Sequence, residues 1–576
     1  MNKFITILIF LLKITCAFSQ YQLSGSVADE NGKTLQNTLI TVHSNRTIYM
    51  TDSAGRFAIP SLQSKDTLTF NLRGYQRVTV STNSGEFRQV VLKSIYSVSR
   101  RKYHLNSIIK DTNSLANYWT YAHESYSNLV ENQFVNAARS SLVTFSPNTN
   151  KASYSNIRRF INMNERVPPD AVRIEEMLNY FNLHYTQPSD GNIFNCSSYF
   201  ASCPWDQTNH LLMINVSAQK VNLENVSATN LVFLIDASGS MDMPNKLPIL
   251  KSGFRLLIKN LRPIDTVSIV TYGATIKVLL EAVSGAEKEK ITKAIEGIEP
   301  DGETPGEAGI RAGYKVASKH FIKGGNNRII LATDGDFNVG KTSEKDLENL
   351  IGSQQQKGIY LTCLGVGIGN YKDSKLFSLA QKGNGNFAYL DNEEESERVL
   401  MSELTQTLFS VADDVNFFIT LNSSLITTYR LIGYDNRLEA LRDTSSTVEG
   451  GEIGSGHSLV ALFEISTKDT SWVNQDIARV EIHYQIPGTN KDLKAFFDCP
   501  AISADKDSLE INFNKAAGIA MLGMKLKASQ FAYNITWKDL EVLAKKYFKS
   551  DNYFDKEFIN IISKAKKIYS HKKNDK

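Results

Sequence analysis

The chain has 576 residues and a formal net charge of +4, with 42% hydrophobic and 22% charged residues. This length is too great for one hydrophobic core and predicts about three or four domains. The composition is ordinary for globular protein, and a charge so close to neutral argues against a nucleic-acid partner.

The amino terminus has the pattern of a secretory signal. A basic start precedes an apolar run over residues 5–12, and Ala17 and Ser19 complete a small-x-small cleavage pattern. We therefore expect residues 1–19 to be a signal peptide and the protein to be exported to the periplasm, the outer-membrane surface or the extracellular space. Cys16 raises the question of a lipid anchor, but the three residues before it fit a lipidation signal poorly. No later segment is apolar for the roughly 18 residues that a membrane-spanning helix needs.

Residues 21–95 alternate short β patterns with turn signals, such as Asp29-Glu-Asn-Gly32 and Asp52-Ser-Ala-Gly55. The order of these turns, followed by Phe57 and Gly74-Tyr75, resembles the carboxypeptidase regulatory-like domain. That resemblance implies a small transthyretin-like β-sandwich. The acidic turns could be calcium loops, but a plain turn is the commoner role of this pattern.

Residues 96–144 are rich in Ser, Asn and Tyr and are predicted to be a linker, and residues 145–227 form a separate region with distinctive motifs such as Ala-Ser-Tyr-Ser from 152. In this region Cys196 and Cys203 could form a short-loop disulfide in an oxidising compartment, although spacing alone cannot establish the pairing. Cys363, in a later strand pattern, is predicted to be a buried core thiol.

Alternating strand and helix patterns extend over residues 228–410. A continuous apolar run ends in Asp236, and Ser238 and Ser240 follow it. A second apolar run ends in Asp334, and a turn-rich loop between the two runs contains Thr304. Because ligands bind at the carboxyl ends of strands in open parallel sheets, these oxygen donors are expected to lie together at that edge of the sheet. We expect Asp236 to lie on a surface turn there. Oxygen-only ligands favour a hard cation, Mg²⁺ first and Mn²⁺ or Ca²⁺ next.

The order Asp-x-Ser-x-Ser, then Thr, then Asp resembles the metal ion-dependent adhesion site of the von Willebrand factor type A (vWA) domain. An isolated Asp-x-Ser-x-Ser is usually only a turn or a helix cap, but here a second strand-terminal Asp and a correctly ordered Thr agree with it. The resemblance implies a doubly wound, Rossmann-like α/β domain. It also implies that Ser238, Ser240 and Thr304 supply hydroxyls to the cation. Asp236 and Asp334 would bind it directly or through water. Asp242 and Asp336 are expected to be solvated loop residues.

Residues 411–576 are predicted to be a mixed α+β region, with strands to about residue 485 and helices from about residue 514 to 569. Motifs here, such as the one from Gly451 to Glu464, and those of residues 145–227 resemble the flanking regions of a mostly uncharacterised bacterial subfamily of vWA proteins. The basic carboxy terminus is expected to be a solvated tail.

Enzyme motifs are lacking. The nine histidines never occur at zinc-hydrolase spacing, no Gly-x-Ser-x-Gly elbow is present, and the glycines from 365 to 369 have the wrong spacing for a dinucleotide loop. His457 is predicted to be a turn or core histidine. We therefore expect no catalysis. The vWA resemblance implies a binding protein whose cation captures an Asp or Glu carboxylate of a protein partner. The alternative is a structural envelope protein in which the metal only stabilises the domain, and a hydrolase is the least favoured reading.

Overall fold

The structure, a computed structural model, describes residues 21–30, 32–45, 47–61, 63–72, 75–93, 124, 126, 131–147, 150–181, 183, 185–189, 191–222, 224, 226–302, 306–335, 344–367, 372–434, 450–468, 472, 475–489, 491–501, 506–549 and 551–570. The chain divides into two compact units, Met1–Ser107 and Ile108–Lys576. The predicted signal segment lies outside the described residues.

The described residues of the first unit form seven strands in two sheets. The strands are β1 (Tyr21–Asp29), β2 (Leu39–Val42), β3 (Ile48–Met50), β4 (Arg56–Ser61), β5 (Lys65–Asn71), β6 (Val78–Asn83) and β7 (Phe87–Leu92). One sheet has the order β4-β1-β7 and the other has the order β3-β2-β5-β6. Alternate residues of β1 are buried in a core that both sheets share, which includes Leu23, Val27, Ile40 and Phe70. The period-2 pattern of the sequence therefore corresponds to two sheets, each with one face in the core.

The second unit contains three groups of strands and helices. Its strands are β8 (Val135–Asn136), β9 (Leu142–Phe145), β10 (Phe194–Cys203), β11 (Asp206–Ala218), β12 (Thr229–Asp236), β13 (Thr266–Tyr272), β14 (Lys277–Ser284), β15 (Asn326–Thr333), β16 (Ile359–Val366), β17 (Phe387–Leu390), β18 (Ser410–Leu421), β19 (Ile426–Ile432), β20 (Gly451–Gly454), β21 (Ser458–Thr467), β22 (Asp476–Gln485) and β23 (Asp492–Pro500). Its α-helices are α1 (Ala152–Asn162), α2 (Ile174–Tyr180), α3 (Leu247–Asn260), α4 (Lys288–Glu296), α5 (Gly306–Lys319), α6 (Glu344–Gln355), α7 (Asp373–Lys382), α8 (Glu393–Glu397), α9 (Leu404–Leu408), α10 (Lys506–Leu526), α11 (Trp537–Tyr547) and α12 (Tyr553–Ser570).

Strands β12 to β17 form a six-stranded sheet in the order β14-β13-β12-β15-β16-β17. All pairs are parallel except β13 with β14, which is antiparallel. Helices α3 and α4 pack on one face, and α5, α6 and α7 pack on the other. All eight residues of β12 are buried, as expected for a central strand with helices on both faces. The predicted Rossmann-like α/β domain is confirmed.

The strands before and after this domain combine in a second architecture. One sheet has the order β10-β11-β21-β19-β8, and the other has the order β20-β18-β22-β23 with β9 paired to β18. Ser217 of β11 pairs with Ser458 of β21, and Phe145 of β9 pairs with Phe417 of β18. The inner faces of the two sheets share one core. The sequence divides residues 145–227 from 411–576, whereas in the structure both segments contribute strands to the same sandwich. The α/β domain is therefore inserted between β11 and β18.

A helical layer covers the outer face of the sheet with the order β10-β11-β21-β19-β8. Helices α1, α2, α10, α11 and α12 share a core with Leu211, Met213, Val460 and Leu462 of that sheet. Among the helices of the described residues, none combines the length and the apolar character needed to cross a bilayer.

The buried guanidinium of Arg158, on α1, connects this layer to the α/β domain. It donates hydrogen bonds to Asp391 and, at 2.9 Å each, to Glu395 and to Glu557 of α12. Its side chain is 1% exposed, so four charges are taken out of water together and neutralise one another in part.

The disulfide between Cys196 and Cys203, left open by the sequence, does not fit this fold. Both residues belong to β10, seven positions apart on one extended strand. At ~3.3 Å per residue their Cα atoms are separated by roughly 23 Å, whereas a disulfide joins Cα atoms within about 7 Å. Cys363 is completely buried in the α/β domain, which confirms the predicted core thiol.

Candidate metal centre

The structure brings Asp236 and Asp334 to the same edge of the six-stranded sheet. Asp236 is the last residue of β12, and Asp334 follows the last residue of β15. These strands are parallel neighbours, with Ile235 opposite Ala332. Each strand contains an apolar run, residues 231–235 in β12 and 329–332 in β15, because helices cover both faces of the sheet, and polar side chains follow where each run ends.

The carboxylate of Asp236 lies at the bottom of the site, with 0% exposure. Its Oδ1 atom accepts hydrogen bonds from the backbone N–H of Ser238 at 2.9 Å and from the Ser238 hydroxyl at 2.6 Å. Its Oδ2 atom accepts one from the hydroxyl of Thr333 at 2.9 Å. The expectation that Asp236 lies on a surface turn is wrong, because the turn begins one residue later, at Ala237.

Two serine hydroxyls connect Asp236 to Asp334. The Oγ atoms of Ser238 and Ser240 lie 3.1 Å apart, and Ser240 Oγ donates to Oδ2 of Asp334 at 2.7 Å. Ser240 belongs to a single 3₁₀ turn, Gly239–Met241, and is exposed, whereas Ser238 and Asp334 are buried. The four oxygen-bearing side chains therefore form one connected group that reaches solvent at Ser240.

The loop after α4 approaches the same turn. The N–H of Asp301 donates to the carbonyl of Ala237 at 2.7 Å, and the N–H of Gly239 donates to the carbonyl of Gly302 at 3.0 Å. Gly302 has a φ of +74°, and a Cβ there would lie 2.4 Å from the Cα of Ala274, so only glycine allows this approach. The predicted ligand Thr304, and Asp336, lie outside the described residues. Asp242 is exposed, as expected of a solvated loop residue.

Lys246 is part of the site. The sequence pattern predicted only that a helix begins at this residue. Its Nζ donates to Oδ2 of Asp334 at 2.8 Å, and the residue is 6% exposed. A Cβ on Gly367, whose φ is +85°, would lie 2.4 Å from Cε of Lys246, so the lysine stem fills the space beside this glycine. One sequence signal could have drawn attention to it: a cation immediately before a helix opposes the helix dipole.

The donor set fits a hard divalent cation. The side chains that converge offer only carboxylate and hydroxyl oxygens, which suit Mg²⁺ and Mn²⁺ better than zinc. Burial raises the pKa of Asp236 to about 6, with hydrogen bonds from Ser238 acting in the opposite direction and the charge of Asp334 adding to the rise. A buried carboxylate whose charged form is disfavoured gains from a nearby cation. Within the described part of the chain, no group of three or more His, Cys, Asp and Glu side chains could hold a metal.

Comparisons with known proteins agree with this architecture. Residues 230–406 match the family model of the von Willebrand factor type A domain, residues 120–213 match a model described as von Willebrand factor, and residues 406–568 match the C-terminal model of the uncharacterized protein YfbK. The chain is 36% identical over 473 residues to the uncharacterized protein YfbK of Escherichia coli (strain K12), which covers 76% of this chain and 80% of YfbK.

Two further similarities are more distant. The uncharacterized protein sll0103 of Synechocystis sp. is 28% identical over 189 residues, which covers 32% of this chain and 43% of that protein. A solved structure described as von Willebrand factor type A from Catenulispora acidiphila is 15% identical, covers 64% of this chain and 90% of its own, and has a TM-score of 0.39.

Proposed function

This chain belongs to the YfbK family of von Willebrand factor type A domain proteins, and we propose that it is an exported protein that captures the carboxylate of a partner protein through a divalent cation. Asp236, Ser238, Ser240 and Asp334 would hold the cation, together with Thr304 by resemblance to the family. Mg²⁺ is the first candidate, and Mn²⁺ or Ca²⁺ are the alternatives. The observation that carries the proposal is the connected group of four oxygen donors, which is buried at Asp236 and exposed at Ser240.

The arrangement assigns different tasks to the residues of the site. Asp236 and Ser238 are held to each other by two hydrogen bonds, so they provide the fixed base of the site. Ser240 carries its hydroxyl to the surface, where a partner has access. A bound Mg²⁺ would supply an open coordination position for an Asp or Glu side chain of that partner. The ammonium of Lys246 neutralises part of the negative charge of Asp236 and Asp334. One divalent cation exceeds the negative charge that remains, and the resulting positive charge favours an incoming carboxylate.

A second function is favoured by one observation. Oδ2 of Asp334 already accepts hydrogen bonds from Ser240 and Lys246. The ammonium of Lys246 therefore already neutralises one of the two carboxylates without a metal. Such a site could hold a metal only to stabilise the domain, and the protein would then be a structural component of the envelope.

Export is a separate part of the proposal and rests on the pattern of residues 1–19. The intact mass of the protein recovered from the envelope tests it. We expect a mature chain that starts near Gln20 or Tyr21. A mass that corresponds to a diacylated Cys16 would identify a lipoprotein instead, and an uncleaved chain would contradict export by this signal.

The two functions can be separated by affinity capture from an envelope extract. The bait is the full chain in Mg²⁺, the same chain in chelator, and the variant Asp236→Asn in Mg²⁺. We expect a partner that is retained only by the wild type in Mg²⁺. Thermal unfolding of each bait, measured in parallel, shows whether a lost partner reflects a lost fold. Retention of the same proteins by three folded baits would contradict capture through the cation and favour the structural role.

A further inference from the structure

The sandwich of the second unit has an open side where two edge strands face each other. β10 is the last strand of one sheet and β23 is the last strand of the other. The two strands are in contact, but within the described residues no backbone ladder joins them. They come from the opposite sides of the inserted α/β domain in the sequence. At this side, side-chain contacts hold the two sheets together.

Cys196 lies on the inner face of β10. Phe194 and Phe200, at even positions of the same strand, belong to the core between the sheets, and Cys196 packs against that core. The ring of Phe194 contacts that of Tyr484 at 5.0 Å between centroids, and the ring of Phe200 contacts that of Trp472 at 5.2 Å. These two ring contacts lie on either side of Cys196 along the strand and fix β10 against the second sheet.

Cys499 occupies the matching position on β23. It is completely buried, lies opposite Ala478 of β22, and belongs to the same core as Phe194 and Phe200. Ala495 and Phe497, at the alternate positions before it, also pack against that core, whereas Phe496 is exposed. The inward side of β23 therefore presents Cys499 towards β10.

The two thiols are neighbours at the core between the sheets, where β10 and β23 are in contact. The Cys499 thiol beside Cys196, together with burial, raises the pKa of Cys196 well above its usual value. The structure describes both as free thiols. The other two described cysteines are elsewhere: Cys203 is buried in the core of the helical layer, and Cys363 is buried in the α/β domain.

We propose that Cys196 and Cys499 form a disulfide that closes the open side of the sandwich. The oxidant is a disulfide-bearing compound or protein. The thiolate of Cys196, which is the more exposed of the two, attacks one sulfur of that disulfide and releases the first thiol. The thiolate of Cys499 then attacks the sulfur of Cys196 in the mixed disulfide and releases the second thiol. Two cysteine thiols are oxidised to one disulfide, and the oxidant is reduced to two thiols that carry the two protons.

The bond would join the segments before and after the α/β domain. Its closed loop runs from 196 to 499 and contains the whole of β12 to β17. The two chain segments that connect the α/β domain to the sandwich would then start from a sandwich whose two sheets cannot separate at the open side. The proposal depends only on the sandwich, so it stands or falls independently of the cation at Asp236. Export to an oxidising compartment would supply the oxidant in the cell.

The test uses the full chain, purified under reducing conditions and then incubated with oxidised and reduced glutathione. The protein is then unfolded in denaturant so that the remaining thiols, including buried ones, are blocked by alkylation, and it is digested without reduction. We expect one cross-linked peptide pair, which contains residues 196 and 499, and alkylation of Cys203 and Cys363. Cys203→Ser, the matched control on the same strand, should keep the cross-link. Cys499→Ser should lose it and carry glutathione on Cys196 instead.

Two results would overturn the proposal. One is full alkylation of Cys196 and Cys499 in the oxidised wild type, and the other is a stable glutathione adduct on Cys196 while Cys499 remains available. Thermal unfolding gives a second measurement that does not depend on the variants. Oxidised wild type should unfold at a higher temperature than the same sample after reduction, and this difference should disappear in Cys196→Ser.

Discussion

The ammonium nitrogen of Lys246 lies 2.8 Å from Oδ2 of Asp334, the oxygen that also accepts the hydroxyl hydrogen of Ser240. A fixed positive charge of the chain is thus in contact with a carboxylate that is a candidate metal ligand. The contact is buried, so screening by water is weak and the charges interact strongly. Lys246 therefore has two opposite effects: it stabilises the site without metal, and it repels a divalent cation.

Replacement of this lysine should separate the two effects. We expect Lys246→Met to lower the melting temperature in chelator, because Asp334 loses a charged partner, and to tighten Mn²⁺ binding by about tenfold or more, the scale of effects on groups next to a metal. Isothermal calorimetry and thermal unfolding measure the two quantities. Lys251→Met, on the helix that follows Lys246 but bonded to the backbone of Glu296, is the matched control and should change neither. Weaker Mn²⁺ binding in Lys246→Met would show that the ammonium supports the cation.

Asp236→Asn should remove metal-dependent stabilisation. The amide keeps the size of the side chain and one oxygen acceptor for Ser238, so the fold is retained better than with alanine. Without the negative charge, we expect Mg²⁺ and Mn²⁺ affinity to fall by at least about 100-fold. The exposed neighbour Asp242→Asn is the control and should bind as the wild type does. Unchanged affinity in Asp236→Asn would mean that the cation binds elsewhere.

Thr304→Ala should weaken partner binding more than metal binding. Its loop is distinct from the turn of Ser238 and Ser240. In the described residues before it, the N–H of Asp301 donates to the carbonyl of Ala237, and the carbonyl of Gly302 accepts from the N–H of Gly239. Water can replace one hydroxyl ligand, so the cation stays, but the partner loses about 1–3 kcal/mol of coupling to it. Parallel calorimetry with Mn²⁺ and affinity capture compare the two losses. Equal losses would leave Thr304 without a specific role towards the partner.

His457 should make the second unit sensitive to acid. It is 4% exposed, and neither ring nitrogen has a hydrogen-bond partner among the described residues. Burial, with a smaller effect of the Lys151 charge, lowers its pKa to about 3, and Glu403 acts in the opposite direction. The unfolded chain takes up the proton near pH 6.5, so the folded state binds fewer protons below that pH and loses stability as the pH falls from about 6.5 towards 3.

We expect His457→Leu to remove this part of the pH dependence. Between about pH 7.5 and about pH 5, the free energy of unfolding of the wild type should fall by about 2 kcal/mol more than that of the variant. Urea unfolding at the two pH values measures the difference. Parallel curves for wild type and His457→Leu would contradict a neutral buried His457.

The guanidinium of Arg158 should be among the most sensitive positions for stability. Arg158→Met leaves three carboxylates, Asp391, Glu395 and Glu557, without their shared cation in a buried position. Loss of one partner of a buried ion pair costs about 3–5 kcal/mol. The matched control Arg255→Met breaks an exposed pair with Glu296 and should cost less than about 1 kcal/mol. Urea unfolding compares the two variants, and similar small losses would show that the Arg158 group contributes little to stability.

The edge at which Asp236 and Asp334 meet was predictable because each follows an unbroken apolar run, and such runs form central strands. The burial of Asp236 was not predictable, since the packing of the folded chain determines the residue at which the strand ends and the turn begins. The contact of Lys246 with Asp334 depends on how α3 is placed over the sheet, and the proximity of Cys196 to Cys499 joins strands on opposite sides of the α/β domain in the sequence. Neither has a local pattern. Periodicity identified strands after the α/β domain but not β10 and β11 before it, and the pairing of the two segments into shared sheets is a long-range property that alternation alone does not encode.

The insertion of the α/β domain between β11 and β18 has a consequence for the order of folding. Strands β12 to β17 are contiguous in sequence, so this domain can complete its sheet as soon as it has left the ribosome. In contrast, Ser217 must wait for Ser458, about 240 positions later, before β11 gains its second neighbour. Such distant pairings form slowly, and during synthesis the amino-terminal part of the chain precedes the rest. The hairpin of β10 and β11 is therefore exposed at one edge while the rest of the chain is made. A ribosome that stalls before β21 releases a product with a folded α/β domain and an unpaired strand that is prone to aggregate.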